Sequence, residues 1–184
     1  MGEPKVVVRR SLPSDPAVRA SASLFLTEAE RQGVRAGRRM LYVGPEPASE
    51  HVAAALRVEP GTAVLARRKL LLAGDVPVRV ATSFLRLDLF ADTPLCEPGF
   101  LSPSLQARIE ERGHRFGRAE EHLVARPPRG DEAATLALDP GEWVVQIVRA
   151  AYSADDLPIH VLETVCAASR HVFDIVQPGG ADEF

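Results

Sequence analysis

Two stretches decide the fold: Ala53–Val78, "AAALRVEPGTAVLARRKLLLAGDVPV", and Ala133–Ile159, "AATLALDPGEWVVQIVRAAYSADDLPI". Leu56, Pro60, Gly61, Val64 and Lys69 of the first recur as Leu136, Pro140, Gly141, Val144 and Arg149 of the second, each 80 positions later. One extra residue in the second turn then brings Pro77 to Pro158, an offset of 81. The chain contains a duplicated unit, and two copies are too few for a solenoid.

Each unit reads the same way. A short Ala-rich helix (51–56, 132–136) stops before an acidic-Pro-Gly turn. Proline presets φ at the first central position and glycine supplies φ > 0 at the next, the requirement of a type II turn. A β-rich strand follows, then a polar turn ("AGD", "SADD"), then a strand opening at Pro77 or Pro158, where proline loses no ladder hydrogen bond. Each unit is therefore helix, turn and β-hairpin. Around them, "FLTEAERQG" (25–33) predicts a helix with Thr27 as N-cap, and "RRMLYV" (38–43) a strand. "SPSLQARIEERG" predicts a helix capped by Ser102 with Pro103 at its first position, and "RAEEHLVARPP" (118–128) a strand with mixed faces. Antiparallel hairpins mixed with helices give an α+β class, an antiparallel sheet with packed helices. The tail 177–184, "QPGGADEF", is expected to be mobile.

Composition bounds the function. The 184 residues suit one domain with a sizeable core. A net charge of −3 argues against a duplex-DNA or anionic-membrane surface on this chain itself. No apolar run approaches the roughly 20 residues of a membrane span, and the first residues lack the apolar core of a signal peptide. Cys96 and Cys166 form no disulfide framework or zinc motif, so a reduced, cytoplasmic protein without metal or other cofactor is expected.

The ordered elements "FLTEAERQG", "VAAALRVEPGTAV", "RRKLLLAGDVPV", "ATSFLRLDLF", "SPSLQARIEERGH", "DEAATLALDPGEWVV" and "AAYSADDLPIHV" resemble the UTRA domain, the ligand-sensing half of HutC-like GntR-family repressors. The resemblance implies a chorismate-lyase-like fold over residues 25–176, preceded by a linker over 1–24. It further implies a small-molecule effector and a homodimer. DNA would be contacted only through a winged helix-turn-helix. About two dozen residues precede the first helix, too few for such a domain, so the expectation is a cut-out sensor domain or a stand-alone version. Two other readings stay open: a chorismate-lyase-like enzyme, and a ligand-binding module with no DNA partner. No placed acid/base pair, nucleophile elbow or metal set supports catalysis.

The first hairpin strand carries three adjacent cations, Arg67, Arg68 and Lys69. Strand alternation puts Leu65, Arg67, Lys69 and Leu71 on one face and Arg68 on the other. The family's Arg-x-Arg, which holds acidic or phosphorylated effectors, falls on Lys69 and Leu71, so the pattern is half kept and Arg67 could substitute. Lys69 and Arg67 are expected to line the pocket, with Arg149 aiming a second cation from the equivalent position. Arg68 is expected to be an edge-strand or solvent-face charge. The family's sugar-binding carboxylates and tyrosine are replaced by Ala81, His160 and Cys166, which favours a more apolar effector with at most one anionic group. Ser83 and His160 are expected to face the same cavity, His160 either as a pocket donor or as a satisfied core histidine. Ser104 is either an anion cradle at a helix start or a simple cap. Cys166 reads as a small core residue, and Trp143 as a core or dimer anchor.

Overall fold

The computed structural model describes residues 7–11 and 24–174; the 177–184 tail and most of the 1–24 segment lie outside them. The elements are β1 (Val8–Ser11), α1 (Leu24–Arg31), β2 (Ala36–Pro47), α2 (Glu50–Leu56), β3 (Ala63–Ala73), β4 (Val76–Arg86), α3 (Leu87–Phe90), α4 (Leu105–Glu110), β5 (Phe116–Arg126), α5 (Glu132–Thr135), β6 (Val144–Ser153), β7 (Pro158–Ala167) and β8 (His171–Asp174). A six-stranded sheet in the order β2-β3-β4-β7-β6-β5 forms the body, antiparallel at every pairing. Within the stretch expected to be a linker, β1 pairs in parallel with β8 as a separate two-stranded sheet. No helix among the described residues is long and apolar enough to cross a membrane.

The duplicated turns form as their sequences require. Thr62 N–H donates to Glu59 O and Glu142 N–H to Asp139 O, with Gly61 and Gly141 at φ +83° and +84°. Each preceding helix ends on a left-handed residue, Arg57 (φ +53°) or Ala137 (φ +46°). Paired hydrogen bonds reach back from residues 57 and 58 to Ala54 and Ala53, and from 137 and 138 to Ala134 and Ala133. This closure satisfies the last helical carbonyls without the usual glycine. The hairpins share even their irregularities. The ladder skips Val78 in the first and Ile159 in the second, again 81 apart. Thr82 pairs with Glu163, also 81 apart. A local two-fold axis therefore passes through that pair, exchanging β4 with β7 and β3 with β6.

Directly paired residues share a face. The back face carries Val64, Ala66, Phe84, Val161 and Ala150, buried beneath Val52, Ala53 and Leu56 of α2. Beside it, Leu70, Val144 and Val165 pack under Leu136 and Leu138, just past α5. The front face is covered at its two ends. At one, Phe25 of α1 and Val8 of β1 pack on Leu71, Val78 and Ala81. At the other, Phe90, Leu95 and Ile109 from the 87–110 connection pack on Leu65, Leu85 and Ile159. Fully burying a side chain such as Leu56 or Phe90 contributes about 1.5–3 kcal/mol each.

Three expectations are corrected. Thr27 lies inside α1, which begins at Leu24. Ser102 is not a cap: the Ser102–Pro103 peptide is cis, and the helix starts after Ser104, whose Oγ accepts from Ala107 N–H. Arg68 is not on an edge strand, because β3 lies between β2 and β4. It forms a two-pronged ion pair with Glu46 (3.0 and 3.1 Å) and donates to Thr82 Oγ1.

Candidate functional site

Beside the Phe25–Val8 covering, which reaches Ala81 and Leu162, the front face holds two rows of side chains. One is Lys69–Ala81–Thr164–Ile147; the next is Arg67–Ser83–Leu162–Arg149, with Glu121 of β5 across from Arg149. His160 follows Leu162 on the same face, two residues along β7. Lys69 and His160 thus stand on one side of the sheet, as strand parity anticipated.

The centre of this region is strongly cationic. Lys69 is pushed down to about 8, first by burial and then by the charges of Arg38, Arg79 and Arg67. Among the described residues no carboxylate pairs with it. Lys69 is half-buried beside three arginines with no carboxylate partner among the described residues, which costs stability, so its position needs a reason beyond the fold. His160 is held down to about 3, by burial and then by Arg149 and Lys69, and its Nε2 is buried without a hydrogen-bond partner. It is therefore neutral at physiological pH, with one ring nitrogen unused. Ser83 and Thr164 are buried in the floor, and neither hydroxyl bonds another described residue.

The surrounding arginines have separate attachments. Arg67 Nη1 donates to Leu95 O (2.6 Å) and Glu97 O (2.8 Å), and Nη2 to Gly99 O (2.5 Å). Its guanidinium holds the 95–99 loop, and its charge adds to the field at Lys69. Arg38 lies over the Phe100 ring at 4.1 Å, and Arg79 over Phe25 of α1 at 4.4 Å. The cation group is thus tied to both coverings of the front face.

The remaining candidates are elsewhere. The Ser104 hydroxyl is occupied in capping α4, whose Leu105 and Ile109 pack against the Leu65–Leu85 end. Cys166 is a fully buried core residue. Trp143 is 52 % exposed, which removes the core alternative. Sequence reading missed Arg38 and Arg79. It also missed a back-face network in which His51 Nε2 meets Glu163 Oε2 at 2.5 Å while Gln146 donates to the same oxygen. Gln146 in turn accepts from Arg126, which pairs with Glu132. That network is internally satisfied. A shallow groove lined by Val58, Thr62, Val64, Arg86 and Asp88 has its charges matched to each other. No cluster of His, Cys, Asp or Glu suited to a metal occurs among the described residues.

This arrangement can be set beside known proteins. The sequence profile of the UTRA domain matches residues 31–172. The chain is 30% identical over 142 residues to the uncharacterized HTH-type transcriptional regulator SCO4628 of Streptomyces coelicolor, covering 73% of this chain and 52% of that protein. It is 27% identical to the HTH-type transcriptional repressor PhnF of Mycolicibacterium smegmatis, covering 91% and 69%. The chain thus spans about half the length of the first relative and two thirds of the second. The crystal structure of the PhnF effector domain from Mycobacterium smegmatis superposes with a TM-score of 0.73 at 26% identity, covering 94% of this chain and all of that one. The C-terminal domain of the histidine utilization repressor of Pseudomonas syringae shares the fold, with a TM-score of 0.62 at 21% identity over 80% of this chain and all of that one. On the duplicated hairpins, the profile match and these structural likenesses, the chain belongs to the UTRA domain family, the effector domains of GntR-type transcriptional regulators.

Proposed function

We propose that residues 25–176, with β1 docked on them, are the sensing unit of a cytoplasmic transcriptional repressor, that the rest of residues 1–24 forms its linker, and that the unit binds a small acidic molecule on the front face without transforming it. The reading rests on one observation above the others: Lys69 is half-buried in the field of Arg38, Arg79 and Arg67, with no carboxylate partner of its own among the described residues. An acidic ligand supplies the missing counter-charge. Lys69 is the primary contact, Ser83 and His160 add hydrogen bonds, and Arg67 holds the 95–99 loop beside the ligand. In this reading Ser104 serves as the cap of α4. Such a ligand acts by binding one arrangement of a paired protein better than another, which shifts the equilibrium of the attached DNA-binding heads. The paired state is a homodimer, as two-fold operator sites require.

The test is thermal denaturation in phosphate, sulfate and acetate, against chloride at matched ionic strength. The proposal expects a saturable rise in midpoint with at least one of these anions, absent in Lys69→Met. Equal responses of the two proteins would contradict it.

A further inference from the structure

The local two-fold axis carries the site further than a single anion. The axis passes through the Thr82–Glu163 pair, so every front-face residue on β3 and β4 has a counterpart on β6 and β7. Lys69, paired with Ala81, corresponds to Arg149, paired with Leu162. Ser83 corresponds to Thr164, two hydroxyls lying diagonally across the axis without a described partner. Arg79 corresponds to His160, whose Nε2 is buried and unpaired. The polar groups thus come in pairs around a small floor of Ala81, Ser83, Leu162 and Thr164.

The cations stand at opposite ends of this floor. Lys69 on β3 and Arg149 on β6 are separated by three strand intervals, about 15 Å. Both charges nevertheless act on His160, which follows Leu162 along β7 on the same face. The two ends are unequal: Arg38, Arg67 and Arg79 reinforce Lys69, whereas Arg149 has Glu121 as its cross-strand neighbour.

We infer that the front-face site takes a ligand with two acidic groups at opposite ends of a short carbon skeleton, one held at Lys69 and the other at Arg149 and His160, over the Ser83 and Thr164 hydroxyls. This replaces the single anionic group expected from sequence, and it rests on the reading that the front face binds an acidic molecule. The Lys69 end takes the more highly charged group. The Arg149 end takes a carboxylate, which accepts from the guanidinium and from the imidazole Nε2–H of neutral His160. The middle of the skeleton crosses Ala81 and Leu162, which suits unsubstituted methylenes and not a hydroxylated sugar.

The experiment is calorimetric titration of the chain with malonate, succinate, glutarate and adipate, each against its half-amide. The two have nearly the same shape and differ by one charge. For at least one skeleton, the diacid is expected to bind about tenfold or more tightly than its half-amide, the factor for one charge-assisted contact. Arg149→Gln should bring that ratio close to one, and Arg149→Lys should restore part of it. A ratio near one in the unaltered chain for every skeleton, or a ratio that survives Arg149→Gln, overturns the two-ended site while leaving a single-anion site standing. Absence of binding by every acid, or binding indifferent to Lys69→Met, overturns the underlying reading as well.

Discussion

Lys69 holds a positive charge where the fold alone would disfavour one. Burial and three arginines lower its affinity for a proton, so between about 8 and its ordinary 10.5 the unfolded chain binds the proton and the folded chain does not. Stability attributable to Lys69 therefore rises as pH increases through that window, and its charge is a cost at neutral pH. His160 adds a second limb with the same sign. Its folded value near 3 against an ordinary 6.5 means that stability falls as pH drops through that interval. Two outcomes follow for urea denaturation measured against pH. Lys69→Met should stabilise the chain by about 1 kcal/mol at pH 7 and flatten the alkaline rise. His160→Gln should reduce the loss between pH 6 and 4. A Lys69→Met variant less stable than the parent at pH 7 would mean that the lysine is structurally satisfied and not held in readiness for a ligand. The Lys69–His160 relation was legible from strand parity, because alternation along a strand is a property of the chain. The contribution of Arg38 was not, because it depends on β2 flanking β3, which the hairpin alone does not determine, whereas Arg79 lies on the hairpin itself, two residues before Ala81, and the same parity puts it on that face.

At the level of elements, both duplicated units fold as their turn chemistry dictates, down to Gly61 and Gly141 in the left-handed region. Replacing either glycine by alanine should cost about 1 kcal/mol or more, measured by urea denaturation, since a Cβ is strained at that φ. The helix stops were less legible, because Arg57 and Ala137 take left-handed conformations that sequence normally reserves for glycine. The helix beginning after Ser104 was misread by two residues, since Ser102–Pro103 carries the familiar cap-then-proline pattern but leads into a cis peptide. The 95–99 loop has no regular ladder of its own and depends on Arg67, whose three bonds to carbonyls replace one. Arg67→Met should destabilise the chain by about 2–4 kcal/mol, because carbonyls turned inward lose a charged donor. Hydrogen exchange should quicken in residues 94–100 before it does elsewhere. Unchanged exchange there would show that the loop is held by packing alone.

The whole molecule is a sheet with internal two-fold symmetry, its back face packed by α2 and Leu136–Leu138 and its front face packed at one end by α1 with β1 and at the other by the 87–110 connection. The repeat at offsets of 80 and 81 announced the two hairpins, but sequence could not say that they join edge to edge through β4 and β7. That junction centres the symmetry on Thr82 and Glu163 and turns two separate cations into a facing pair. For the proposed homodimer, sedimentation at high micromolar concentration should give twice the chain mass of 19.9 kDa. A monomer at that concentration would contradict it for this chain. The central claim, that the front face is an acid-binding site built on the Lys69 cation group, is tested most directly by a crystal structure of the chain grown with the tightest-binding diacid. The account predicts density over the floor between Lys69 and Arg149, within hydrogen-bond distance of Lys69 Nζ and His160 Nε2. Density in the groove beside Arg86 and Asp88, or a front face left unchanged at a saturating concentration, would contradict it.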